Sequence, residues 1–247
     1  MSVHNIKNLD EYYKYLQQTK NEVNQLFKDL LIGVTNFFRD SDAFLFVEEQ
    51  TIPQLFSNKI SNEIIRIWVT ACSTGEEAYS LAMLIAEYKE KHKMSCLVQI
   101  FATDIDASAI ATARRGIYPA SITEDVSKER LEKYFTKSTN KKVYHINKYI
   151  RDMLIFSVHN TVKDPLFSNM DLISCRNLLI YMNIQLQEKL ISSLHYALKK
   201  DGVLFLGSSE SLGTLTDFFM VLDHKSKVYQ CKKDIQRRPP LKGHFQP

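Results

Sequence analysis

Residues 71–77, Ala71-Cys72-Ser73-Thr74-Gly75-Glu76-Glu77, put two carboxylates beside a single glycine at the start of a helix. The β-branched run Ile64, Ile65, Ile67, Trp68 and Val69 leads in, and Ala78, Leu81, Ala82, Leu84 and Ile85 follow at helical spacing. Strand, tight turn and helix in that order is the arrangement that builds small-molecule sites in α/β folds. A helix N-terminus attracts anions through its unpaired N–H groups. Two carboxylates already occupy this turn, so a pyrophosphate meets repulsion and a neutral or cationic ligand is favoured. Ser73-x-x-Glu76 also fits a capping box, with Ser73 as N-cap and Glu76 reaching back to its backbone N–H. Glu77 is not needed by such a cap; it is either a ligand contact or a solvated first-turn residue.

A further acid closes the next apolar run, Phe101-Ala102-Thr103-Asp104-Ile105-Asp106. In dinucleotide folds an acid at the end of the second strand accepts hydrogen bonds from ribose hydroxyls. Asp104 takes that part here, and Asp106 reads as the N-cap of the following helix. A two-aspartate metal site is the competing idea, but no further ligands stand around the pair in the sequence. Cys72, Cys96, Cys175 and Cys231 are scattered, with no C-x-x-C and no histidine at zinc spacing, so buried reduced thiols are expected. Cys175 adjoins Arg176, which leaves a reactive thiolate as the alternative reading there. His195 falls in an apolar helical pattern and reads as packing; His159 is a pocket-lining candidate with no sign of a base.

These residues need a scaffold. Residues 9–34 read as a helix (Leu16, Val23, Leu26, Phe27, Leu30, Leu31) stopping at Gly33, and 41–56 as a second, broken near its end by Pro53. Strands are expected at 64–70, 97–102, 153–158, 170–174, 202–206 and 227–231, with helices at 76–92, 106–115, 126–135 and 184–200. That alternation is a doubly wound, mostly parallel α/β sheet with an antiparallel terminal strand, since no long crossover helix precedes Val228. Residues 136–151 read as a small β insertion on the alternation of Lys142 to Ile146, and the end from 234 as a linker-like tail.

The 247 residues, 45% of them apolar, fit one large α/β domain with or without an appendage. No apolar run approaches the roughly 20 residues that span a bilayer, and no signal peptide opens the chain, so a cytoplasmic protein without membrane insertion is expected. The net charge of +4 sits in short lysine and arginine clusters without interleaved aromatics, which argues against nucleic acid.

Six segments in chain order resemble the CheR family of S-adenosylmethionine-dependent methyltransferases, which esterify glutamates on bacterial chemoreceptors. They are Thr35-Asn36-Phe37-Phe38-Arg39, the turn at 71–77, Ala102-Thr103-Asp104-Ile105-Asp106, Gly116-Ile117-Tyr118, Cys175-Arg176-Asn177-Leu178-Leu179-Ile180-Tyr181, and Gly207-Ser208-Ser209-Glu210-Ser211. The resemblance implies a Rossmann-like class I methyltransferase domain over 35–233 behind a shortened N-terminal helical region, 1–34. It implies S-adenosylmethionine as cofactor, with S-adenosylhomocysteine as product. Thr35 and Arg39 would contact it before the sheet, Glu77 at the methionyl end and Asp104 at the ribose. Asn160, Thr161, Asn177 and Leu178 would frame the adenine and the sulfonium side, and Arg39 and Tyr181 would stand beside the transferred methyl. No metal is implied. Gly33 departs from the family's frequent asparagine, and Ala78 from a frequent proline.

The chemistry of the residues agrees with that reading. A sulfonium and an ammonium suit Glu77, and a glutamate substrate, with its pKa of about 4.3, is already ionised and needs no base. Catalysis can then rest on positioning and on removing water from the carboxylate. The planar fork of an arginine orients a carboxylate, and Arg39 is assigned to that; a structural ion pair with Asp40 or Asp42 is its alternative. The partner implied is a chemoreceptor cytoplasmic domain. Ser138-Thr139-Asn140-Lys141-Lys142 lacks the glycine of members that dock a receptor's C-terminal peptide, so no pentapeptide tether is expected. The chain reads as a monomer or as part of a longer multidomain signalling protein. The second function weighed is a cofactor-binding regulatory module without methyl transfer. A NAD-dependent oxidoreductase would need the glycine fingerprint, and a nucleic-acid amino-methyltransferase a proline-aromatic motif where Cys175 to Leu178 stand.

Overall fold

The computed structural model describes residues 8–19, 22–23, 26, 33, 35–57, 63–138 and 142–232. The chain divides into two units, Met1–Val34 and Thr35–Pro247. In the first, α1 (Leu9–Gln18) starts at Asn8, whose side chain accepts from the N–H of Glu11 at 2.9 Å. Phe27, Leu30 and Leu31, expected to continue a helix toward Gly33, lie outside the described residues, as do 139–141 and the tail from 233.

The second unit is built on a seven-stranded sheet in the order β6-β2-β1-β7-β8-β10-β9. Its strands are β1 (Ile65–Thr70), β2 (Val98–Asp104), β6 (Leu154–Val158), β7 (Met170–Cys175), β8 (Leu198–Leu206), β9 (Phe219–Asp223) and β10 (Val228–Cys231). The first five run parallel to one another, and β10 pairs antiparallel with both β8 and β9. The expected antiparallel terminal strand is therefore present, with β9 as an additional outer strand. A second sheet, β3-β5-β4, joins β3 (Ile117–Pro119), β5 (Val143–Ile146) and β4 (Phe135–Lys137). The insertion thus begins before the expected 136, because Ile117 pairs with His145 across the intervening helix.

Strand alternation sends side chains to two layers. Ile65, Ile67, Val69, Ile100, Ala102, Leu172 and Phe205 form one buried core with α3 (Glu76–Lys91) and α4 (Ala107–Arg115). Trp68, Ile173, Leu204 and Tyr229 form the other with Leu190, Ile191 and Leu194 of the helix Ile184–Ala197. The helix that opens at Ser41 does not break at Pro53. It passes from Ser41–Phe46 through a π turn, Val47–Thr51, into Ile52–Ser57, and the wide turn accommodates the missing proline donor.

Topology places the site. From β1 the chain winds outward through β2 to β6, then returns to β7 on the opposite flank of β1. Strand order reverses between β1 and β7, and open α/β sheets bind ligands at the carboxyl ends of strands flanking such a switch point.

Candidate active site

The turn after β1 is wound by its own backbone. Ala71, Ser73 and Gly75 have φ of 49°, 48° and 98°, so alternate residues adopt the left-handed conformation. In non-glycine residues this costs on the order of 1–3 kcal/mol each and needs surrounding structure to hold it. Neighbouring strand ends supply that: the Cys72 N–H donates to Thr103 O at 2.9 Å, and the Ser73 N–H to Asp104 Oδ2 at 2.8 Å. Gly75 is the helix N-cap, and a Cβ there would lie 2.9 Å from the Cβ of Ala113. The expected capping box is therefore not formed. The Ser73 N–H belongs to Asp104, and the Glu76 carboxylate accepts from Thr74 Oγ1 at 2.8 and 2.7 Å. Glu76 is buried, and that burial raises its pKa above the ordinary carboxylate value.

Asp104 ends β2 directly beside this turn. One carboxylate oxygen accepts from Ser73 and the other from the Asp106 N–H at 2.8 Å. Burial raises its pKa, and these two N–H bonds pull it back down. A carboxylate offers about four lone-pair positions, so acceptor capacity remains for a hydroxyl donor. Asp106 caps α4 through Ser108 N at 2.7 Å, as its spacing predicts.

Glu77, the freed acid of the turn, is not solvated. Ser174 Oγ donates to its Oε1 at 2.6 Å, and Arg176 Nη1 to its Oε2 at 3.1 Å. The other guanidinium nitrogen of Arg176 donates to Arg39 O at 2.8 Å and Asp40 Oδ2 at 2.7 Å. This one buried side chain thus ties the loop 35–40 and α3 to the end of β7. Of the two carboxylates considered as partners for Arg39, Asp40 is engaged by Arg176 and Asp42 by Lys225 at 2.6 Å.

Asn177 has φ 56°, and its N–H donates to Glu210 Oε2 at 3.0 Å. Glu210 is buried and also receives the N–H groups of Gly207 at 2.7 Å and Leu179 at 2.7 Å. A Cβ on Gly207 would meet that carboxylate at 2.7 Å, which accounts for the glycine in the Gly207-Ser208-Ser209-Glu210 segment. Leu178 is half-buried against the second core, whereas Tyr181, closing a short 3-10 turn, is 60% exposed.

Asn160 follows β6, whose end pairs with Asp104 through His159 N to Asp104 O at 2.9 Å. Its side-chain oxygen accepts from Val162 at 3.0 Å and Lys163 at 3.2 Å, so that oxygen closes its own turn, with Thr161 half-buried inside it. Thr35 is half-buried where the second unit begins. His159 meets Trp68 edge-on and Phe167 at a tilt, with Nε2 3.0 Å from Pro165 O, and His195 packs on Phe218 and Phe219. Neither is placed as a base. Burial pushes the Cys175 thiol up to about 12, which removes the reactive-thiolate reading despite the adjacent arginine.

Arg39, Glu77, Asp104 and Asn177 therefore gather at the carboxyl ends of β1, β2 and β7. Arg176, Ser174 and Glu210 hold that edge together. Arg176 and Glu210 stand in the quoted segments, but the sequence assigns them no role because their partners lie far away along the chain.

Residues 33–228 match the family model described as CheR methyltransferase, SAM binding domain. An uncharacterized 104.1 kDa protein in hypE 3'region of Rhodobacter capsulatus is 38% identical over 231 residues, which are 94% of this chain but only 24% of that protein. A chemotaxis protein methyltransferase of Borreliella burgdorferi is 33% identical over 218 residues, covering 86% of this chain and 77% of the relative. Chemotaxis protein methyltransferase 1 of Pseudomonas aeruginosa is 30% identical over 238 residues, covering 94% and 86%.

Proposed function

The chain belongs to the CheR methyltransferase family, and from that premise we propose that it transfers a methyl group from S-adenosylmethionine to glutamate side chains of chemoreceptor-type signalling proteins, giving glutamate methyl esters. The observation that carries this reading is the donor set at the switch point. Glu77 and Asp104 face the carboxyl ends of β1 and β2 with lone pairs left over after their protein bonds. The set fits a ligand bearing hydroxyl donors and positive charge, and repels a pyrophosphate.

When bound, S-adenosylmethionine supplies an electrophilic methyl on a sulfonium. Glu77 would hold the methionyl end and Asp104 the ribose, with Thr35, Asn160, Thr161, Asn177 and Leu178 around the remainder. Arg39 and Tyr181 would orient the acceptor carboxylate, which is ionised at neutral pH and needs no proton removed. The work left to these residues is alignment and exclusion of water. Arg39 positions the nucleophile; too strong a pair would quench it.

The partner in this reading is a receptor's cytoplasmic domain, engaged without a pentapeptide tether, and tight binding of such a pentapeptide would overturn that last point. Among the described residues no helix is long and apolar enough to cross a membrane. The test is transfer of labelled methyl from S-adenosylmethionine to receptor, with the label released as methanol by mild alkali. Cofactor binding with no alkali-labile label on any receptor offered would favour a sensing module instead.

A further inference from the structure

Arg176 has an arrangement that stability alone does not account for. Its side chain is 0% exposed, yet one guanidinium serves two carboxylates, Glu77 and Asp40, and leaves its buried Nε–H with no partner among the described residues. Its Cζ lies 4.6 Å from the ring centroid of Phe205 and 5.3 Å from that of Phe44, two rings that meet edge to face, so the charge is enclosed by aromatic carbon as well as by its two acids. Burying a charge in this way is costly, and an apolar side chain of similar volume commonly holds a core as well or better. What an apolar side chain cannot do is fix two distant backbone segments at one separation.

The two segments fixed are those carrying the proposed chemistry. Nη2 grips the carbonyl of Arg39 itself at 2.8 Å, and Nη1 grips Glu77 at 3.1 Å. The loop end is wound for this contact: Phe38 and Asp40 have φ of 52° and 61°, so the Arg39 carbonyl and the Asp40 carboxylate turn together toward Nη2. Resting on the reading above, we propose that Arg176 is a positioning residue for methyl transfer, a rigid spacer that sets the distance between acceptor-orienting Arg39 and cofactor-holding Glu77. Two carboxylates on one guanidinium also leave the cluster one negative charge in excess, which a cationic ligand group beside Glu77 balances. Lysine cannot substitute, because a point ammonium has no fork to reach both segments at once.

The experiment compares wild type, Arg176→Lys and Asp40→Ala for S-adenosylhomocysteine affinity by calorimetry, kcat at saturating cofactor and receptor, and amide exchange at residues 38–40. Arg176→Lys keeps a cation near Glu77, so affinity should fall less than about fivefold, while kcat should drop on the order of 10²-fold, as for an ångström-scale misplacement. Asp40→Ala removes only the loop-side acid, so kcat should drop about tenfold with affinity unchanged, and the 38–40 amides should exchange faster in both variants. If Arg176→Lys does not fold, Asp40→Ala decides alone. Proportional loss of affinity and kcat, or no loss in kcat, overturns the proposal. A wild-type protein that binds no S-adenosylhomocysteine would instead overturn the methyltransferase reading beneath it.

Discussion

The backbone N–H of Ser73 donates to the side chain of Asp104 at 2.8 Å, joining the turn after one parallel strand to the end of its neighbour. The bond holds Ser73 in its left-handed conformation and aims the carboxylate along the strand ends. On the proposed reading, replacing Asp104 by alanine leaves the ribose hydroxyls of the cofactor without partners at a half-buried site. Affinity for S-adenosylhomocysteine should fall by about 1–3 kcal/mol. Calorimetry reads it directly, and unchanged affinity would refute the ribose assignment.

Glu76 and Asp104 make the ligand-free protein sensitive to pH in an unusual direction. Burial raises both pKa values above those of the unfolded chain. The folded state therefore keeps protons that the unfolded state has already released, and stability falls as pH rises from the ordinary carboxylate range through the raised values. The acids Asp42, Glu129 and Asp223 are shifted down, so their contributions are lost only at still lower pH. Glu76→Gln keeps an acceptor for Thr74 without the buried charge. It should be more stable than wild type at pH 8, with the difference shrinking toward pH 5, as measured by urea unfolding at both values.

Much of the scaffold could be read from the chain because burial writes itself locally. The run Ile65 to Thr70 puts Ile65, Ile67 and Val69 on one face and Trp68 on the other, and both faces are covered, as in a central parallel strand. Asp106 caps its helix through a contact two residues away, so its role was legible too. The capping box failed for the opposite reason. Its spacing is present at Ser73 and Glu76, but the left-handed turn is imposed by β2, whose Asp104 takes the Ser73 N–H from outside the segment. Pro53 misled similarly, since a π turn upstream absorbs the missing donor. Strand β9 escaped because Met220 and Val221 are exposed on an outer edge, which blurs the alternation. Arg176 and Glu210 were visible only as letters in a motif; what they do depends on partners drawn together from separate segments by the sheet.

Glu210 offers the sharpest stability test. Its carboxylate takes the N–H groups of Gly207, Asn177 and Leu179, all within 3.0 Å. Glu210→Ala strands three donors at once, two of them buried, and should cost roughly 3–5 kcal/mol of unfolding free energy. Chemical denaturation measures that cost. Because Asn177 loses its support, S-adenosylhomocysteine affinity should fall even where the variant remains folded.

Arg39 can be separated from the clamp that holds it. Arg176 binds the Arg39 carbonyl and not its side chain, so Arg39→Ala leaves the buried bond to the loop available. Unfolding midpoint and the 38–40 amide exchange should then stay near wild type, in contrast to the Arg176 variant. On the proposed reading turnover should fall by about 10²-fold at saturating cofactor and receptor, the acceptor carboxylate having lost its planar partner. Arg39→Lys should recover little of it, since an ammonium presents no matching fork. Full turnover in Arg39→Ala under saturation would show that the acceptor is oriented by other groups, with Tyr181 on the exposed rim the next to replace.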